Sequence, residues 1–112
     1  MSHHTLEPRL EVVERPGRTM ARFDGPTSLT EANAEALGRQ FSRLIEAPAG
    51  RHVLLDLGNV QFLSSGGLGK LIGLNKCLRE GGGRLTVANV PPRVRELLHV
   101  TRLDTVLDVQ HV

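Results

Sequence analysis

The sequence has no tryptophan, no tyrosine and only three phenylalanines among its 112 residues, so its core has to be built from Leu, Val, Ile and Ala. A single cysteine, Cys77, excludes an internal disulfide. Because it falls inside a predicted helix, its thiol is expected to be packed and inert. No apolar run approaches the ~20 residues that a membrane-spanning helix needs, and the first residues lack the charged-then-apolar layout of a signal peptide. The expectation is a cytoplasmic protein with no membrane partner. Lysine is scarce as well, since only Lys70 and Lys76 among the 14 basic residues are lysines. The net charge of +2 is small, and Arg alternates with Asp and Glu along the chain, so direct nucleic-acid binding is not implied.

What remains suits one compact domain. Residues 1–8, with His3 and His4 side by side and no periodicity, read as a flexible N-terminal segment, and residues 9–112 as the domain. Leu10 to Glu14 and Thr19 to Phe23 flank the turn-forming pair Pro16-Gly17, which predicts a hairpin. Ser28 and Glu31 have the spacing of a capping box, so the first helix is expected to begin there. Ala34, Leu37, Phe41, Leu44 and Ile45 then form its apolar stripe, ended by Pro48 and Gly50.

His52 to Leu57 reads as the central strand of a parallel sheet, buried on both faces. Beyond Gly58-Asn59 and Val60 to Leu63, a second helix opens near Ser65. Its period runs through Leu68, Leu71, Ile72, Asn75 and Leu78 to Gly81-Gly82-Gly83. Arg84 to Ala88 is another strand. Pro91-Pro92 sets up a third helix through Val94, Leu97, Leu98 and Thr101, and Thr105 to Val109 is a last strand or tail. The sum is an α/β domain, a mixed and mostly parallel sheet of four to five strands with three to four helices against it.

The informative segment runs from Asp56 to Leu71, where a strand feeds through a loop into a helix that opens on Ser64-Ser65-Gly66-Gly67. The first amides of a helix lack intrahelical partners and lie at the positive end of its dipole, so an anion near Ser65 or Gly66 is stabilised. A P-loop is excluded: counting back from Gly69-Lys70 puts Ser64 at the first Gly position and Leu71 at the hydroxyl position. The dinucleotide fingerprint fails too, since a start at Gly67 gives Gly69 and then Ile72, with Gly73 one residue late. The histidines at 3, 4, 52, 99 and 111 show no zinc spacing. Ser65, His52 and Asp56 could compose a hydrolase triad only without the Gly-x-Ser-x-Gly elbow that such enzymes use.

The segment resembles the signature of STAS domains: Leu55-Asp56-Leu57, Val60, Phe62-Leu63, Ser64-Ser65-Gly66 and Gly67-Leu68. A second block, Arg84 to Leu103, is similar to the last strand, third helix and following turn of that family, and the likeness extends over residues 10–109. The anti-sigma-factor antagonists of the family catalyse nothing and need no cofactor. A partner that is both an anti-sigma factor and a serine kinase, of the ATP-binding histidine-kinase-like type, phosphorylates the serine before the small residue and Gly-Leu.

The resemblance therefore implies Ser65 as the acceptor, with Ser64 as the alternative. It implies a partner surface of Ser28, Asn59, Ser64, Ser65, Gly66, Gly67, Leu68, Lys70 and Asn89, and a monomer or weak dimer. The family's usual Asp before the acceptor is Ser64 here, and the acidic residue at the start of its first helix corresponds to Ser28. A STAS domain that serves as a scaffold or as a subunit of a transport system or signalling complex, never phosphorylated, is the alternative. An enzyme that binds a small anion at the helix start is a third reading.

Overall fold

The structure, a computed structural model, describes residues 8–46 and 50–110. Its main sheet has five strands: β1 (Leu10–Arg15), β2 (Arg18–Phe23), β4 (His52–Asp56), β6 (Arg84–Ala88) and β7 (Asp108–Val109). They lie in the order β1-β2-β4-β6-β7, which makes β4 central. Only β1 and β2 are antiparallel, joined across the Pro16-Gly17 turn with Gly17 at φ +72°; every later pair is parallel. A second, two-stranded parallel sheet pairs β3 (Thr27–Leu29) with β5 (Val60–Leu63). Three helices complete the fold: α1 (Ala34–Ile45), α2 (Ser65–Glu80) and α3 (Pro92–Val100).

The three helices pack on one face of the main sheet. Leu37, Phe41 and Leu44 of α1, Leu68, Leu71, Leu74 and Leu78 of α2, and Val94 and Leu98 of α3 form one core with Ala21, Phe23, Val53, Leu55, Leu85 and Val87. Full burial of a leucine such as Leu55 or Leu71 contributes about 2 kcal/mol, so this aliphatic layer is what holds the helices to the sheet. Among the described residues, no helix lies over the opposite face of the sheet. Burial of β4 accordingly alternates, with Val53 and Leu55 buried and His52, Leu54 and Asp56 half-buried. That corrects the expected burial on both faces: a parallel sheet hides both sides only when crossovers run over both.

The first helix also starts later than its sequence spacing suggests. Ser28 lies in β3, opposite Phe62 of β5. The cap is Thr30, whose hydroxyl accepts from the Ala32 amide at 3.2 Å while the Asn33 side chain accepts from the Thr30 amide at 2.9 Å. A 3-10 turn, Glu31–Asn33, then leads into α1. Two overlapping cap patterns compete here, and pairing of Ser28 into the small sheet decides between them.

Elsewhere Ile45 is exposed at the end of α1, off its buried stripe. Cys77 is exposed too, one position short of Leu78 on the solvent side of α2, so the expectation of a packed thiol is wrong. Pro48, His3, His4 and His111 lie outside the described residues. Of the N-terminal segment only Pro8 is described, and it is buried. Among the described residues no helix is long and apolar enough to cross a membrane.

Candidate functional site

The crossover from β4 to β6 places the head of α2 beyond the carboxyl ends of the parallel strands, because α2 must run back to begin β6 at their amino ends. That end of an α/β sheet is where helix amides face outward. Two contacts draw the site together. The Ser64 amide donates to the Leu29 carbonyl at 2.9 Å, tying the head of α2 to β3. Gly67 is buried against the same strand: a Cβ there would lie 2.8 Å from both Leu29 Cβ and Leu63 Cδ1 and would also strike the Leu29 carbonyl. Only glycine permits that approach, whereas Gly69 has open space around it.

Ser64 is the N-cap of α2, in extended conformation, its hydroxyl accepting from the Gly67 amide at 3.4 Å. Ser65 follows as the first helical residue and is exposed. Its hydroxyl donates to Glu31 Oε2 at 3.1 Å, and the Gly66 amide donates to the same oxygen at 2.9 Å. The Leu68 amide bonds the Ser64 carbonyl at 2.9 Å. The anion that the sequence led one to expect near Ser65 and Gly66 is present, and it is the chain's own Glu31. A Cβ at Gly66 would lie 2.8 Å from Glu31 Cγ, so this glycine makes room for the carboxylate.

Glu31 has its pKa lowered from the ordinary 4.5, first by the hydrogen bond from its own amide, then by those from the Ser64 hydroxyl, the Gly66 amide and the Ser65 hydroxyl. The loss of acidic character suggested by Ser28 and Ser64 is thus only apparent. A carboxylate does stand beside Ser65, and it comes from the residue after the Thr30 cap. Sequence reasoning missed it because Glu31 had been assigned to a capping box with Ser28; the signal was the overlapping Thr30-x-x-Asn33 pattern.

The remaining predicted residues divide. Leu68 is 8% exposed and belongs to the core, and Gly67 is buried, so neither offers a side chain to a partner. Lys70 is exposed and lies along α1, its Nζ 3.4 Å from where a Cβ of Gly38 would stand. Asn59 braces the fold, its side-chain amide donating to the Phe23 carbonyl at 2.7 Å and its carbonyl accepting from Thr27. Asn89, at φ +52°, donates to Asp56 Oδ2 at 2.8 Å, while Asp56 Oδ1 accepts from the Gly58 amide at 2.7 Å. His52 contacts Thr86 at 2.7 Å. The would-be triad is therefore not assembled, since Ser65, His52 and Asp56 each have other partners.

The sequence did not reveal that part of the segment before α2 is exposed and apolar. Phe62, three residues before it, is 57% exposed, and Val100 on α3 is 70% exposed. Together with Leu97 they line a shallow recess between β5 and α3. Exposed apolar surface of this kind marks a candidate docking site.

The fold and this site define a small α/β domain with a serine at the head of the helix that follows its central strand. The family model of the STAS domain matches residues 9–111, and the chain belongs to that family. It is 28% identical over 101 residues to the anti-sigma F factor antagonist of Paenibacillus polymyxa, covering 90% of this chain and 85% of the relative. An anti-sigma-factor antagonist (STAS) domain protein from Planctomyces limnophilus superposes with a TM-score of 0.79 at 24% identity, over 93% of this chain and 91% of that one. The Bacillus cell fate determinant SpoIIAA in its phosphorylated form superposes with a TM-score of 0.64 at 17% identity, over 91% of each chain.

Proposed function

We propose that this protein is an anti-sigma factor antagonist, a non-enzymatic switch that binds an anti-sigma serine kinase and is released by phosphorylation of Ser65. The observation that carries the reading is the exposed Ser65 hydroxyl at the first position of α2, hydrogen-bonded to Glu31. The names of its relatives support the role. Geometry favours Ser65 over Ser64, whose hydroxyl is occupied in capping the helix.

Glu31 gives the switch a mechanism. A phosphate on Ser65 brings about −1.5 to −2 charges and three acceptor oxygens to a place already held by a carboxylate. The amide dipoles there favour one anion, and the phosphate, attached to the helix itself, displaces Glu31. The 3-10 turn that carries Glu31 then loses its tie to α2. Charge and shape change together on the surface formed by that turn, the head of α2 and Phe62, and the partner dissociates.

The reading is tested by titrating a purified anti-sigma serine kinase against Ser65→Ala and Ser65→Asp. The alanine variant should bind within a few-fold of wild type and the aspartate variant at least tenfold more weakly, and with ATP the unsubstituted chain should acquire phosphate on Ser65 alone. Equal affinity of the two variants, or a stable complex that never acquires phosphate, would contradict it; the latter is the behaviour of a scaffold.

A further inference from the structure

The face of the main sheet opposite the helices carries a pattern that the switch does not use. Strand register places Arg15 opposite Arg18, Arg18 opposite His52, and His52 opposite Arg84, one row of basic side chains across four strands. The adjacent row is Val13, Met20, Leu54 and Thr86. Like charges directly opposite on neighbouring strands are destabilising, and little within the fold offsets them. Among the described residues Arg15 and Arg18 make no ion pair.

Arg84 reaches only Asp108, at 3.7 Å. Asp108 also accepts from the Thr86 hydroxyl at 2.7 Å, which leaves Thr86 to accept from His52 Nε2. Burial first, and then the charges of Arg84 and Arg18, lower the His52 pKa below its ordinary 6.5. Burial and the two flanking guanidinium groups thus both disfavour the charged imidazole, against the opposing pull of Asp108.

We propose that this open face docks an acidic amphipathic helix of a partner protein, with carboxylates on Arg15, Arg18 and Arg84 of the row and apolar side chains on Val13, Met20 and Leu54. Charge complementarity selects that occupant. Strands lie ~4.8 Å apart, so the four-strand row spans roughly 14 Å, close to the rise of ten helical residues at 1.5 Å each. Acidic side chains three and four positions apart meet successive strands.

A second copy of this chain docking by the same face would bring no free carboxylate, because Glu11 there is paired with Arg22 at 3.1 Å and Asp56 is held by Gly58 and Asn89. The apolar floor is also recessed, bounding a cavity of about 520 Å³ with Ala88. A projecting helix enters such a recess; a lipid bilayer or a nucleic-acid backbone does not use it.

The test uses a synthetic twelve-residue helical peptide with Glu at every third or fourth position and Leu alongside, and its Glu-to-Gln counterpart, titrated into the full chain and followed by amide NMR. The acidic peptide should shift residues 13–20 and 52–54. Its binding should weaken at least tenfold in the Gln counterpart and in the protein variant Arg15→Gln/Arg18→Gln, which keeps the hairpin free of new charge and whose fold is checked by its melting curve. Ser65→Asp should leave this binding unchanged, so the outcome is independent of the switch. Equal binding of both peptides, shifts confined to the head of α2, or no binding would overturn the proposal. So would tighter binding of phosphatidylserine vesicles or single-stranded DNA that the same double variant abolishes, since the row would then serve phosphate.

Discussion

The head of α2 holds one carboxylate, Glu31, ringed by the Gly66 amide and the Ser65 hydroxyl. The open face of the sheet holds Arg15, Arg18, His52 and Arg84 in one row with a single carboxylate, Asp108, at its far edge. Both regions place charge where the backbone fixes its position. At the helix head the chain supplies its own counter-charge, which the proposed modification expels; along the row of the sheet counter-charge is sparse, and the proposed partner brings it. A site that satisfies itself is suited to covalent switching, and one that leaves like charges opposed is suited to standing recognition.

Breaking the first region has the larger effect on the fold. Gly67→Ala would force a methyl into Leu29 and Leu63, parting α2 from β3. A loss of about 3 kcal/mol is expected from such overpacking, read as a lower denaturant midpoint in chemical unfolding. Unchanged stability would mean that the head of α2 is not pinned to the small sheet, and the placing of Ser65 would need another cause. Breaking the second region should act in the opposite sense. Arg18→Gln removes the like-charge contact with Arg15 and should stabilise the protein by a few tenths of a kcal/mol. A melting temperature that falls would show that Arg18 is held by the fold and not kept for a ligand.

How far each region was legible in the sequence follows from how far apart its residues lie. The hairpin around Pro16-Gly17, the stripe from Leu68 to Leu78 and the Ser-Gly opening of α2 are local patterns that the structure reproduces, except that Leu74 and not Ile72 completes the buried stripe. The small sheet was not legible. Thr27 to Leu29 is too short to show alternation, and Ser28 carries a cap signal that strand pairing overrides. Nor could the sequence show that Glu31 reaches Ser65, a contact across 34 positions made by folding β3 against β5.

The cationic row is the extreme case. Its members are spread from residue 15 to residue 84, each looks like an ordinary surface charge, and only strand register aligns them. The exposure of Phe62 was hidden for a related reason: β5 pairs only with β3 in the small sheet, and its burial does not alternate, with Val60 and Leu63 buried and Gln61 and Phe62 exposed.

The central claim is that Glu31 holds the head of α2 until phosphate takes its place. In the unmodified protein its lowered pKa makes its contribution to stability complete above the ordinary 4.5 and lost as the pH falls through the lowered value. The direct measurement is an NMR titration of the Glu31 side-chain carboxyl in the unmodified chain and in the chain carrying phosphoserine at position 65. A midpoint below 4.5 in the first that rises to 4.5 or higher in the second is the expected result. A midpoint equally lowered in both states would mean that Glu31 stays in place beside the phosphate, and the switch described here would not exist.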